Sequence, residues 1–194
     1  ASLPADLREE ATALLAEEKE ILSRFDEFRG REMESRRIRN HGDFHLGQVL
    51  HTGKDFLIID FEGEPARPLV DRLRKRSAIR DVAGMIRSFH YAAASTLLQL
   101  VDAGSLNAAE REHLEEWADL WYGVVARAFL KGYLAAGRTP FVPTDREELR
   151  LLLDTFLLEK ALYEIGYELN NRPSWLRIPL RGLRDILSQE RHGN

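Results

Sequence analysis

The chain has 194 residues, of which 44% are hydrophobic and 31% charged, with a formal net charge of −4 and no cysteine. This length holds one or two domains, and the composition is that of a folded globular protein rather than a disordered one. Charges of both signs are interspersed, which excludes an electrostatic footprint for nucleic acid, and the lack of thiols excludes a disulfide scaffold and a thiolate metal site. No apolar run approaches the roughly 18 residues that cross a bilayer. No signal-like core follows Ala1-Ser2-Leu3-Pro4, so a cytoplasmic location is expected.

From Asp6 to Phe28 the residues Leu7, Ala11, Leu14, Leu15, Ile21, Leu22, Phe25 and Phe28 recur at helical spacing among charges, predicting one lead-in helix within residues 1–30. The period then changes. Gln48–His51 and Asp55–Phe61 read as short strands around the turn Thr52-Gly53-Lys54, which makes a hairpin within residues 38–61. Gly63, Pro65 and Pro68 mark an irregular stretch to about Ser77, in which Arg72, Arg74, Lys75 and Arg76 form a local basic run.

Helical patterning fills 79–190. One helix runs from Ile79 to about Val101, and a second follows Asn107 as N-cap and ends near Gly137. A third starts from Thr144 as N-cap with Glu147 three residues on, and ends before Pro173. A last amphipathic segment carries Leu180, Leu183, Ile186 and Leu187. Trp117, Trp121 and Tyr122 at helical spacing are expected in the core, as are Phe89 and Phe156. The fold class is mainly α with a small β-hairpin, α+β.

The chemistry concentrates in His41-Gly42-Asp43-Phe44-His45-Leu46-Gly47-Gln48 and in Asp60-Phe61-Glu62 on the other arm of the hairpin. Phosphoryl transfer needs a carboxylate to take the acceptor's proton, oxygen ligands for magnesium, and a frame that holds them in line. Asp43 offers the first, while the Gln48 amide and the Asp60 carboxylate offer hard oxygens of the kind Mg2+ prefers. A sugar pocket combines carboxylates with aromatic faces, and Glu159, Tyr163 and Tyr167 recur at i, i+4 and i+8 on one helix face.

His41 through Gln48 resembles the catalytic loop of the protein-kinase-like and aminoglycoside-phosphotransferase-like enzymes, and Asp60-Phe61-Glu62 sits where that family has its Asp-Phe-Gly magnesium motif. The resemblance implies the C-terminal lobe of a kinase-like fold, with Asp43 as base, Gln48 and Asp60 as metal and nucleotide-site ligands, and Asp81 bracing the loop. It implies ATP as co-substrate and Mg2+ as cofactor.

Gln in place of Asn and Glu in place of the last Gly, with Gly63–Pro68, Arg80–Met85 and Glu159–Pro173, are similar to maltokinases, including those fused to trehalose synthases. That similarity implies phosphorylation of maltose to maltose 1-phosphate. No strand with a glycine-rich turn precedes residue 41, so an ATP-clamping N-terminal lobe is expected to be absent and the 194 residues alone inactive.

Other readings stand beside this one. His41 is a structural histidine or a sugar contact, and Glu62 and Glu64 either touch metal or a sugar hydroxyl or, as is commoner for such acids, are ion-paired or solvated. His41, Asp43 and His45 together suggest a zinc hydrolase, against which stands the lack of a further His-rich segment. Within the kinase class the acceptor alternatives are another sugar, an aminoglycoside or an amino alcohol. Outside it stands a pseudokinase or interaction module that partners a trehalose synthase.

Overall fold

The computed structural model describes residues 3–136 and 140–189. Gly137 and Thr139, near the expected end of the second long helix, lie outside the described residues, as does residue 190. Contacts divide the chain into two compact units, Ala1–Glu32 with Asp154–Asn194 and Met33–Leu153.

The first unit is helical. Where the sequence predicts one lead-in helix there are two, α1 (Ala5–Ala16) and α2 (Glu18–Gly30), separated at Glu17. No proline or glycine marks the break. Glu18 and Glu20 in the first turn of α2 suit the positive end of a new helix dipole. The unit also contains most of α6 (Arg146–Asn171) and all of α7 (Arg177–Gln189).

Among the described residues, Leu158, Ala161, Leu183 and Leu187 form one cluster of its core and Leu7, Leu176 and Leu180 another. Leu14 packs against both. Arg24 on α2 donates to the carbonyls of Ile186 and Leu187 at 3.3 and 3.2 Å, which satisfies acceptors near the end of α7. Phe156 packs edge-on to Phe28 with centroids 5.9 Å apart, as expected of a core aromatic.

The second unit carries the hairpin. Strands β1 (Val49–His51) and β2 (Phe56–Ile58) pair antiparallel, with Val49 opposite Ile58 and His51 opposite Phe56. The short helix α3 (Leu69–Arg72) interrupts the irregular stretch that follows.

Two long helices, α4 (Ile79–Asp102) and α5 (Ala108–Ala136), then pack along each other, with Phe89 against Phe129 at 5.6 Å and His90 against Tyr122 at 5.2 Å between ring centroids. Asn107 caps α5 reciprocally: its Oδ1 accepts from the Glu110 N–H while the Glu110 carboxylate accepts from the Asn107 N–H. Mainly helical architecture with one two-stranded antiparallel sheet is as the sequence predicts.

Two expectations are corrected. The N-cap of α6 is Asp145 rather than Thr144, since its carboxylate accepts from the N–H groups of Glu147 and Glu148. Glu148 is buried and its side chain accepts from the N–H groups of Glu34 and Ser35, bonds that tie the start of α6 to the irregular segment ahead of the hairpin. Trp117 and Trp121 are not core residues: they are 55% and 45% exposed, because the face of α5 that meets α4 is the one bearing Tyr122 and Phe129.

Candidate functional site

The segment before the hairpin is fixed at both sides before it reaches Asp43. Ile38 pairs with Arg76 in an isolated antiparallel bridge, and Asn40 donates its side-chain amide to the Ser77 carbonyl at 2.7 Å. The chain then meets α4, which presents Asp81, Gly84 and Ser88 at i, i+3 and i+7, one helix face. The Asp81 carboxylate accepts from the His41 N–H at 2.7 Å and the Gly42 N–H at 3.0 Å. Ser88 accepts from the Leu46 N–H at 2.9 Å. Between them a Cβ on Gly84 would lie 2.8 Å from the Phe44 carbonyl oxygen, so only glycine lets the loop run this close to the helix.

His41 is buried, and its ring holds the two arms together. Nε2 lies 2.8 Å from the Ile59 carbonyl, and Nδ1 accepts from the Asp43 N–H at 3.4 Å. A carbonyl can only accept and an N–H can only donate, so the pair of bonds selects the Nε2–H tautomer. The ring also packs on Phe61 and Phe44, with centroids 4.9 and 5.5 Å away. These contacts are those of a structural histidine.

Asp43 follows Gly42, whose φ of 87° turns the chain and whose missing Cβ lets it pass Gly63. The Asp43 side chain keeps 17% of its exposure, enough for a substrate hydroxyl to reach it. His45 stands beside it with Nε2 3.7 Å from Asp43 Oδ2, and its Nδ1 accepts from the Gly47 N–H. That bond turns the other ring nitrogen, with its proton, toward the carboxylate.

Across the hairpin the Gln48 amide nitrogen donates to Asp60 Oδ2 at 2.9 Å, and the Ile59 N–H donates to the Gln48 carbonyl at 3.0 Å. Two side chains twelve positions apart thus meet at one end of the sheet. Asp60 has φ 63°, the left-handed region, the only such non-glycine among the described residues. This conformation costs of order 1 kcal/mol and recurs where backbone strain aims a functional side chain.

No group of three or more His, Cys, Asp or Glu suited to a metal occurs among the described residues, which leaves a zinc site of His41, Asp43 and His45 without support. One carboxylate and one amide are instead the hard, sparse donor set that Mg2+ takes when phosphates and waters complete its shell. Glu62 lies 3.9 Å from Arg72, an ion-paired acid.

Burial raises the Asp81 carboxyl above its ordinary value of 3.8, against the opposing pull of the Gly42 and His41 N–H groups. Burial also raises Tyr133 on α5, with the negative Asp81 adding to the effect. The brace under the loop is therefore a desolvated carboxyl group.

Glu159, Tyr163 and Tyr167 lie on α6 within the first unit. The two tyrosine rings stack at 6.5 Å. Sequence reasoning missed their company: Lys160 Nζ sits 5.0 Å over Tyr163, and the Arg172 guanidinium lies 5.6 Å from Tyr167 and 4.2 Å from Trp175. Arg172 is held by a two-pronged pair with buried Glu168, at 3.0 and 2.7 Å. The i, i+4 spacing of Glu168 and Arg172 was the available signal. Ser88 was missed as well, though its phase with Asp81 was legible. A cleft of about 420 Å³ between α1 and α7, lined in part by Glu9, Glu10 and Arg184, contains none of these residues.

No family model matches the chain. It is 28% identical over 153 residues to a glucosamine kinase of Streptacidiphilus jiangxiensis, covering 77% of this chain and 31% of the relative. It is 27% identical over 162 residues to a glucosamine kinase of Mycolicibacterium smegmatis (strain ATCC 700084 / mc(2)155), covering 78% and 35%. The chain thus spans about a third of the length of these curated relatives.

Among solved structures, a glucosamine kinase superposes with a TM-score of 0.75 at 26% identity, covering 97% of this chain and 42% of the other. A glucosamine kinase in complex with glucosamine, ADP and inorganic phosphate superposes with a TM-score of 0.75 at 25% identity, covering 95% and 43%. The chain has the kinase-like fold of the matching part of these sugar kinases.

Proposed function

We propose that the chain carries the catalytic loop and metal-binding part of a kinase that transfers the γ-phosphoryl group of ATP to a sugar hydroxyl. The observation that carries this reading is the pairing of Gln48 with Asp60 at 2.9 Å beside the loop of Asp43, whose preceding residues His41 and Gly42 donate their N–H groups to the Asp81 carboxylate. Similarity to glucosamine kinases, one of them solved with ADP, supports the same class.

In this reading Asp43 orients the acceptor hydroxyl and takes its proton as the oxygen attacks the γ-phosphorus; the bond to the β–γ bridging oxygen breaks and ADP leaves. The His45 Nε2 stands 3.7 Å from Asp43 Oδ2 and limits where the carboxylate can turn. Gln48 and Asp60 would hold Mg2+, which when bound would neutralise phosphate charge. The Gln48 amide, whose nitrogen donates to Asp60, would offer the metal its oxygen. His41 keeps the base and the metal arm in register through Ile59.

Glu159, Tyr163 and Tyr167, with Arg172 and Trp175, are the proposed sugar-reading surface, combining carboxylate and guanidinium hydrogen bonds with flat aromatic faces. The exposed apolar side chains of the hairpin, Leu50, Phe56, Leu57 and Ile58 with Phe61 beyond it, offer a surface on which a nucleotide-clamping part of the enzyme can pack.

The proposed acceptor is glucosamine, from the activity named for the relatives. Maltose is the second reading, favoured by the Gln48, Glu62 and Glu159–Pro173 signature, and a trehalose synthase partner belongs with it. ADP release by the protein that carries these residues, assayed with glucosamine and with maltose, separates the two. Turnover with glucosamine supports the first reading, turnover with maltose alone supports the second, and ADP release with no sugar, aminoglycoside or amino alcohol contradicts the kinase reading.

A further inference from the structure

Helix α5 has a second face that its packing on α4 leaves outside. Tyr122 and Phe129 meet α4, while Trp117, Leu120, Trp121 and Val124, on the opposite side, are between 45% and 55% exposed. At about 100° per residue these four, together with Glu110 and Lys131, fall within an arc of about 100°. Trp117 is held in place by its indole N–H, which donates to His113 Nε2 at 3.0 Å.

The order of residues along this face is symmetric about the midpoint between Leu120 and Trp121. Trp117 lies three positions before Leu120 and Val124 three after Trp121; Glu110 lies ten before and Lys131 ten after. Charge along α5 follows the same division: Glu110, Glu112, Glu115, Glu116 and Asp119 stand with Arg111 in the first half, whereas the second half has Arg127, Lys131 and no acid. A second α5 laid antiparallel, with its two-fold axis at that midpoint, sets Trp117 against Val124, Leu120 against Trp121, and Glu110 against Lys131 at both ends. A parallel copy would oppose like charges along the whole length.

We infer that this face of α5 pairs with the same face of a second copy of the chain, in an antiparallel two-fold contact. Such an isologous contact uses one patch twice, and the apolar centre with charged ends is the pattern of a small specific interface.

Sedimentation of the 194-residue chain over a micromolar to submillimolar range tests the pairing. The expected result is a reversible monomer–dimer equilibrium that Trp121→Glu abolishes without lowering the thermal melt. Lys131→Glu weakens the dimer by about tenfold, since both charge pairs turn repulsive, and Glu110→Lys combined with Lys131→Glu restores it to within about threefold. The swapped variant also loses the Glu110 bond to the Asn107 N–H, so its melt falls while its dimer constant recovers. A chain that stays monomeric at the highest concentration overturns the inference. So does a dimer indifferent to Trp121→Glu, or a charge swap that fails to restore pairing, which would leave the charges serving the helix dipole alone.

Discussion

Asp81 illustrates how one residue can organise a loop at a cost to stability. Its carboxylate gathers two N–H groups of the segment that carries Asp43, yet burial outweighs those bonds and raises its pKa above 3.8. A group whose folded value is raised binds its proton more tightly in the native state. Its contribution to stability is full below the unfolded value of about 3.8 and is lost as pH rises through the folded one. Asp81→Asn removes that titration. The wild-type stability minus that of the variant, from urea unfolding across pH, is therefore expected to fall as pH rises above 3.8. A difference that grows with pH would mean that the N–H bonds outweigh burial. At this scale the sequence was informative about residue type and order, since His41, Asp43, Gln48, Asp60 and Asp81 were all legible there. Which atom meets which was not: the tautomer of His41 and the left-handed backbone of Asp60 depend on partners far along the chain.

At the scale of elements, two sharp predictions concern α4 with α5, and α6. Gly84→Ala places a methyl 2.8 Å from the Phe44 carbonyl, where backbone on both sides limits relaxation, and should destabilise by about 1–3 kcal/mol. Gly132→Ala, inside α5 with nothing within 4 Å, should stabilise by roughly 0.5–1 kcal/mol through helix propensity alone. Thermal or urea melts of the two variants should move in opposite directions, and a shared direction would contradict the close approach. For α6, Asp145→Ala should cost about 1 kcal/mol through loss of the cap, with Thr144→Ala costing little. The sequence pointed to Thr144 because Glu147 completes a capping pattern with it. The competing pair won: Asp145 caps the helix, and Glu148, three residues on, turns its side chain instead to Glu34 and Ser35. The break between α1 and α2 had no marker residue at all, and the outward aspect of Trp117 was hidden because helical spacing does not say which face is buried.

At the scale of the whole molecule, helical content and the single hairpin were readable because period and turn residues are local signals. The two compact units were not, since their boundary crosses α6 without a change in its helical pattern. The first unit carries the aromatic and charged cluster proposed to read a sugar, and the second carries the proposed base and metal ligands. This division predicts separable kinetic effects in the protein that carries these residues. Tyr163→Ala and Arg172→Ala should raise KM for the sugar by about tenfold or more while leaving nucleotide binding unchanged. An unchanged sugar KM in both variants would remove the cluster from substrate reading.

The central claim is that Asp43 takes the proton of a sugar hydroxyl during phosphoryl transfer from ATP. Its most direct test is steady-state ADP release by the Asp43→Asn variant of the protein that carries this chain, with sugar and Mg-nucleotide binding measured alongside. The account predicts that kcat falls by about 10²–10⁴ with both binding constants within a few fold of wild type. A kcat near the wild-type value in a folded variant would contradict it.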